Sequence, residues 1–75
     1  MKKSKPAKRI LRLRQLRRAN ELSQVMMAQR LGVDTATYNR IEHGIISPSL
    51  DRATKIAAIF NLPVEEVFAV IEVAV

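Results

Sequence analysis

A chain of 75 residues has room for one domain, and at this length folding buries only about 60% of the surface that the unfolded form exposes. With no cysteine and one histidine, a disulfide framework, a thiolate metal site and a zinc centre are excluded, and no metal or cofactor is expected. Apolar residues at 48% suffice for folding, while a net charge of +6 and a pI near 10.6 point to a polyanionic partner.

Residues 1–7 carry Lys, Ser and Pro without apolar periodicity and are predicted to form a flexible basic arm. Nine basic side chains and no acid fall within residues 1–18. Residues 19–75 hold four basic and seven acidic side chains, a net of −3. So uneven a distribution suits contact with nucleic acid, the plainer alternative being a solvated tail. A basic amphipathic helix at a membrane surface lacks its aromatic anchors here. No apolar run reaches membrane-spanning length, and no apolar signal core follows Met1-Lys2-Lys3, so a cytoplasmic protein without membrane contact is expected.

Ile10, Leu13, Leu16 and Ala19 recur at helical spacing and predict a first helix over 8–19. Ser23 is a good N-cap for a second helix over 23–31, with Met27, Ala28 and Leu31 on its apolar face and Gly32 at its end. Asp34 caps a third over 34–43, which Gly44 terminates. Ile45-Ile46-Ser47-Pro48 reads as a loop anchored back on the core. Ser49 opens a fourth helix over 49–60, its apolar stripe running from Leu50 through Ala53, Ile56 and Ala57 to Phe60. Pro63 opens a short fifth over 63–68, with Glu65 and Glu66 suited to the dipole of its first turn. Residues 69–75 are rich in Val and Ile and read as a strand.

The informative unit is residues 24–43, two short helices joined by a tight turn at Gly32-Val33-Asp34. Ala28 is small enough for the second helix to cross closely, at the steep angle of a helix-turn-helix. Such a pair exposes the first half of its second helix, which fits the major groove of DNA.

From Leu13 to Phe68 the chain resembles the lambda-repressor-like helix-turn-helix domain of the Xre/Cro family. The resemblance is carried by Leu16-Arg17-Arg18, Leu22-Ser23-Gln24, Ala28-Gln29-Arg30-Leu31-Gly32-Val33, Arg40-Ile41-Glu42-His43-Gly44, Pro48-Ser49-Leu50 and Leu62-Pro63-Val64-Glu65-Glu66-Val67-Phe68. It implies an all-α, compact five-helix domain over 8–68 that regulates transcription on double-stranded DNA, usually as a dimer. Within it, Ser23, Gln24, Thr37, His43 and Gly44 match backbone-contact positions. Thr35 and Ala36 match base-facing positions, and Asn39 and Arg40 lie one turn further on. Arg40 can fork onto guanine or bind a phosphate. Arg17 and Glu42 match two positions that pair with each other. His43 can equally be an exposed helix-end residue balancing the dipole.

Two residues depart from the family pattern. Asp34 stands where Ser or Thr is usual, and it caps the helix while repelling DNA. Tyr38 replaces Ile or Val; its ring is expected in the core and its hydroxyl at the rim, within reach of a phosphate. The third helix is therefore not itself basic, and nonspecific affinity is left to Arg12, Arg14, Arg18 and the arm. Phe68, Val70, Ile71 and Val73 are expected to pair two copies through the 69–75 tail, because so small a domain cannot cover them all alone. The alternative is a tail folded back on its own domain. The expected function is a dimeric, sequence-specific repressor; a protein-interaction module is the competing class. No nucleophile with a base and no phosphate-cradling Gly-rich loop supports an enzyme or a small-molecule substrate.

Overall fold

The computed structural model describes residues 7–74. Along the chain it runs β1 (Ala7–Leu11), α1 (Arg12–Ala19), α2 (Gln24–Leu31), α3 (Thr35–Glu42), α4 (Leu50–Phe60), α5 (Val64–Val67) and β2 (Val70–Ala74). The five helices are those expected, but the body is not all-α. Residues 8–11, assigned to the first helix, are extended and pair antiparallel with β2, Lys8 opposite Val73, Arg9 opposite Glu72 and Ile10 opposite Ile71. Ala7, assigned to the arm, is the first residue of β1. The rest of the arm, residues 1–6, lies outside the described residues, as does Val75.

The strand prevails over local helix propensity because the tail needs a partner. Val70, Ile71 and Val73 favour extended backbone, and β1 supplies both the ladder and a directly opposed charge. Arg9 Nε lies 3.4 Å from Glu72 Oε2. The same arrangement starts α1. Leu11 has no side chain able to cap, and the Arg12 amide donates instead to the Ala69 carbonyl at 2.8 Å. The lead-in to β2 thus satisfies an amide that the helix leaves open.

Ser23, Asp34 and Ser49 cap α2, α3 and α4 as expected, accepting from the amides of Met26, Thr37 and Arg52 at 3.0, 3.0 and 3.1 Å. Gly32 ends α2 in the left-handed region at φ +70°, which lets the Val33 amide reach back to the Ala28 carbonyl at 3.0 Å. The α1–α2 turn makes the same left-handed move at Glu21, φ +56°, without a glycine.

The core consists of Leu13, Met27, Ala28, Tyr38, Ile41, Ile56, Ala57 and Val67, with Leu11, Leu31, Val33, Phe60 and Phe68 packed around it. Two expected contacts are absent from it. Ile45 is 68% exposed and does not anchor the α3–α4 loop; Ile46 and the half-buried Pro48 line a cleft with Ile41 and Ala53. Leu50 is 79% exposed because α4 starts a turn before its first buried residue, Ala53. No helix among the described residues is long and apolar enough to cross a membrane.

Candidate nucleic-acid interface

The α2–α3 pair is held from below by Met27, Ala28, Tyr38 and Ile41, all buried. Ala28, the small residue expected at the crossing, is buried where α2 and α3 pack together. At the far end of α3 a single carboxylate joins three helices. Glu42 is 2% exposed, and both its oxygens are fully engaged. Oε1 accepts from Arg17 Nε at 2.5 Å and from the Tyr38 hydroxyl at 2.9 Å. Oε2 accepts from Arg17 Nη2 at 3.1 Å and from Gln24 Nε2 at 2.9 Å. Arg17 also donates through Nη1 to the Leu22 carbonyl at 2.7 Å, closing the α1–α2 turn.

These bonds decide the protonation states. Burial pushes the Glu42 carboxyl upward, but the donors from Arg17, Gln24 and Tyr38 outweigh it and hold the group below the usual carboxylate range. The hydrogen bond to Glu42 raises Arg17 further above neutrality. Burial, reinforced by the adjacent Glu42 charge, pushes the Tyr38 phenol far upward. The Arg17–Glu42 pair expected from the resemblance is thus present and ionised. The Tyr38 hydroxyl, however, is not at the rim. The residue is wholly buried and its proton is spent on Glu42, so it is not within reach of a phosphate.

The network continues to the surface. Gln24 Oε1 accepts from Asn39 Nδ2 at 3.2 Å, so these two candidate DNA contacts touch each other. A carboxylate can only accept, so Glu42 forces Gln24 to present its nitrogen inward and its oxygen to Asn39. Asn39 must then present its nitrogen to Gln24.

Above this layer lies an open cleft of ≈ 420 Å³ lined by Ser23, Gln24, Thr35 and His43 together with Arg14 and Arg18. It brings together the start of α2, the start of α3 and the end of α3. Ala36 and Arg40 are exposed on α3, and Thr37 is half-buried. The Ser23 hydroxyl accepts a capping bond, and the Gly44 amide already donates to the Ile41 carbonyl at 3.1 Å. Hydrogen bonds from the Thr37 side chain and amide keep the exposed Asp34 carboxyl below its ordinary range, so its negative charge persists beside the start of α3.

The three arginines assigned to nonspecific affinity separate. Arg14 and Arg18, one turn apart on α1, line the cleft. Arg12 turns toward α5, with Nη1 3.9 Å from Glu66 Oε1. The i, i+4 spacing of Arg14 and Arg18 would have placed them on one face, but not on the face beside Ser23. Of the tail residues, Phe68 packs against the core, Ile71 and Val73 are half-buried, and Val70 is 64% exposed.

Two short packed helices joined by a tight turn at Gly32, the second presenting Ala36 and Arg40 to solvent, have the arrangement of a helix-turn-helix DNA-binding protein. The chain belongs to the helix-turn-helix family, whose model matches residues 13–67, and it is a transcriptional regulator with a helix-turn-helix DNA-binding domain. It is 37% identical over 57 residues to an HTH-type transcriptional regulator of Archaeoglobus fulgidus, covering 76% of this chain and 80% of that protein. An HTH-type transcriptional regulator of Methanocaldococcus jannaschii is 39% identical over 57 residues, covering 76% and 86%. Among solved structures it is similar to the restriction-modification controller protein C.AhdI from Aeromonas hydrophila. That match has a TM-score of 0.67 and 35% identity, and covers 76% of this chain and 86% of that one.

Proposed function

We propose that this regulator is a dimeric, sequence-specific repressor that inserts α3 into the major groove. Thr35, Ala36, Asn39 and Arg40 face base edges; Ser23, Gln24, Thr37, His43 and Gly44 flank the phosphates. The observation that carries the reading is the union, in one cleft, of the exposed start of α3 with the start of α2 and with Arg14 and Arg18, over a helix locked in place by Glu42. Thr and Ala favour the thymine methyl, and Arg40 offers a fork to guanine. The mechanism is steric occlusion by binding, with no catalytic role assigned to any residue.

One reading helix touches too few base pairs to select a site in a genome, so two copies must present two helices about 34 Å apart. The outer edge of β2 and the exposed Val70 are the surface we assign to that pairing. Gel shift against genomic fragments, with sedimentation at micromolar concentration, tests both parts. Selective retention of a few fragments by a dimer is the expected result. Equal retention of all fragments overturns the sequence-specific reading, and a monomer bound tightly to one fragment overturns the dimeric one.

A further inference from the structure

The basic segment ahead of the helix-turn-helix is not a loose tail where the structure describes it. Beside the reading cleft lies a second, ≈ 270 Å³, lined by Lys8 and Arg14 together with His43 and Gly44. A third, ≈ 310 Å³, is lined by Lys8, Arg14 and Arg18 with Val73. Arg14 therefore lines all three clefts, and Lys8 and Arg18 line two each. They form one cationic side running from the sheet to the start of α3. The carboxylate lining these clefts is Glu42, whose two oxygens are already saturated by its partners within the protein. Arg9 also lines the second cleft but lies beside Glu72, and Arg12 lies beside Glu66.

We propose that Lys8, Arg14 and Arg18 form a fixed rim for the DNA backbone alongside the reading helix, and that β2 is the element that positions Lys8 in it. The inference rests on α3 entering the groove, because the rim meets that helix at His43 and Thr35. Position is what the sheet contributes. Lys8 lies directly opposite Val73, and the ladder ends where Ala69 caps α1. A lysine on an unstructured segment loses backbone and side-chain freedom when it meets a phosphate, whereas a paired strand has already lost the backbone part. The rim carries no exposed aromatic anchor of the kind a membrane surface would use.

The test needs no known operator. The full chain is titrated with a labelled random-sequence duplex about two helical turns long, over a series of salt concentrations. Lys8→Ala, Arg14→Ala and Arg18→Ala should each lower the magnitude of the log–log salt slope by about 0.9, and together by about 2.7. Lys55→Ala, the same charge change on α4, should leave the slope as it was, and an equal loss there overturns the rim as a local site. In an Ile71→Pro background, which breaks the ladder at its Ile10 pair, Lys8→Ala should have no further effect while Arg14→Ala keeps its own. If Ile71→Pro loses its thermal transition, Val73→Pro breaks only the end of the ladder opposite Lys8 and serves in its place. An undiminished Lys8→Ala effect in that background overturns the role of β2. A wild-type chain with no salt-dependent affinity for the duplex overturns the DNA reading itself, a result separate from either of these.

Discussion

Changing Glu42 to leucine leaves the buried Arg17 guanidinium with only the Leu22 carbonyl and removes the acceptor for Gln24 and Tyr38 in the same step. Breaking a buried pair in this way costs about 3–5 kcal/mol. A chain of 75 residues, at about 0.05–0.15 kcal/mol per residue, has a total stability on the order of 4–11 kcal/mol. The substitution therefore removes a large share of it. At about 4–8 °C per kcal/mol, the melting midpoint falls by at least about 12 °C. Arg17→Met costs less, because Tyr38 and Gln24 still donate to the remaining carboxylate. The double variant Arg17→Met, Glu42→Leu buries no charge and should be more stable than the sum of the two single losses, by about 1–3 kcal/mol. Urea unfolding of the four proteins, followed by circular dichroism, gives this coupling directly. Losses that add to within about 0.5 kcal/mol would refute the claim that the three helices are joined through one ion pair.

Acid supplies an independent check. The Glu42 carboxyl is held below its unfolded range, so its contribution is present above about pH 4.3 and is lost as pH falls from there through the lower folded value. The stability gap between the wild type and Glu42→Leu should narrow across that window.

Tyr38 is the single tyrosine and there is no tryptophan, so absorbance near 295 nm titrates one group. Its folded pKa is raised, so stability should fall by about 1.4 kcal/mol per pH unit above about pH 10, with phenolate appearing only as the helices melt; phenolate in a still-helical protein would contradict the buried hydroxyl. Arg40→Ala should relax preference at one base pair by ~1–3 kcal/mol in competition assays, and uniform weakening on all duplexes would make Arg40 a phosphate ligand. Glu21→Gly should stabilise the fold by about 0.5–1 kcal/mol in thermal unfolding, the relief of a left-handed side chain exceeding the added chain entropy; a lower midpoint would show that the Glu21 side chain stabilises the turn by other means.

Most of the helical frame was legible because its signals are local. Ser23, Asp34 and Ser49 announce three starts, and Gly32 and Gly44 two ends. The β1–β2 ribbon was only half legible. The tail reads as a strand from its own composition, but Ala7, Lys8 and Arg9 are good helix formers, and Ile10 continues the spacing of Leu13 and Leu16. Their partner lies some sixty positions away, and a pairing that distant leaves no mark in any short window. The site divides in the same way. The resemblance places Arg17 against Glu42, but nothing in the spacing brings Tyr38 and Gln24 to the same carboxylate. The direction of the Tyr38 hydroxyl is not legible in the sequence, because a tyrosine in a core can send its proton outward or inward, and only the position of Glu42, one turn along α3, decides which.

That buried carboxylate also bears on how DNA is read. An amide side chain at a protein surface can present either its oxygen or its nitrogens, and two such residues in contact can exchange roles together. Here they cannot. Glu42 accepts and never donates, which fixes the nitrogen of Gln24 inward; Gln24 then offers its oxygen to Asn39, and Asn39 answers with its nitrogen. The carbonyl oxygen of Asn39 is left for a donor outside this chain of bonds, such as the amino group of a base. The ionised state of one residue in the core thus sets the polarity of a side chain on the proposed reading face, two hydrogen bonds away. If α3 reads bases as proposed, fold stability and base discrimination share the Arg17–Glu42 pair, and a substitution there acts on both.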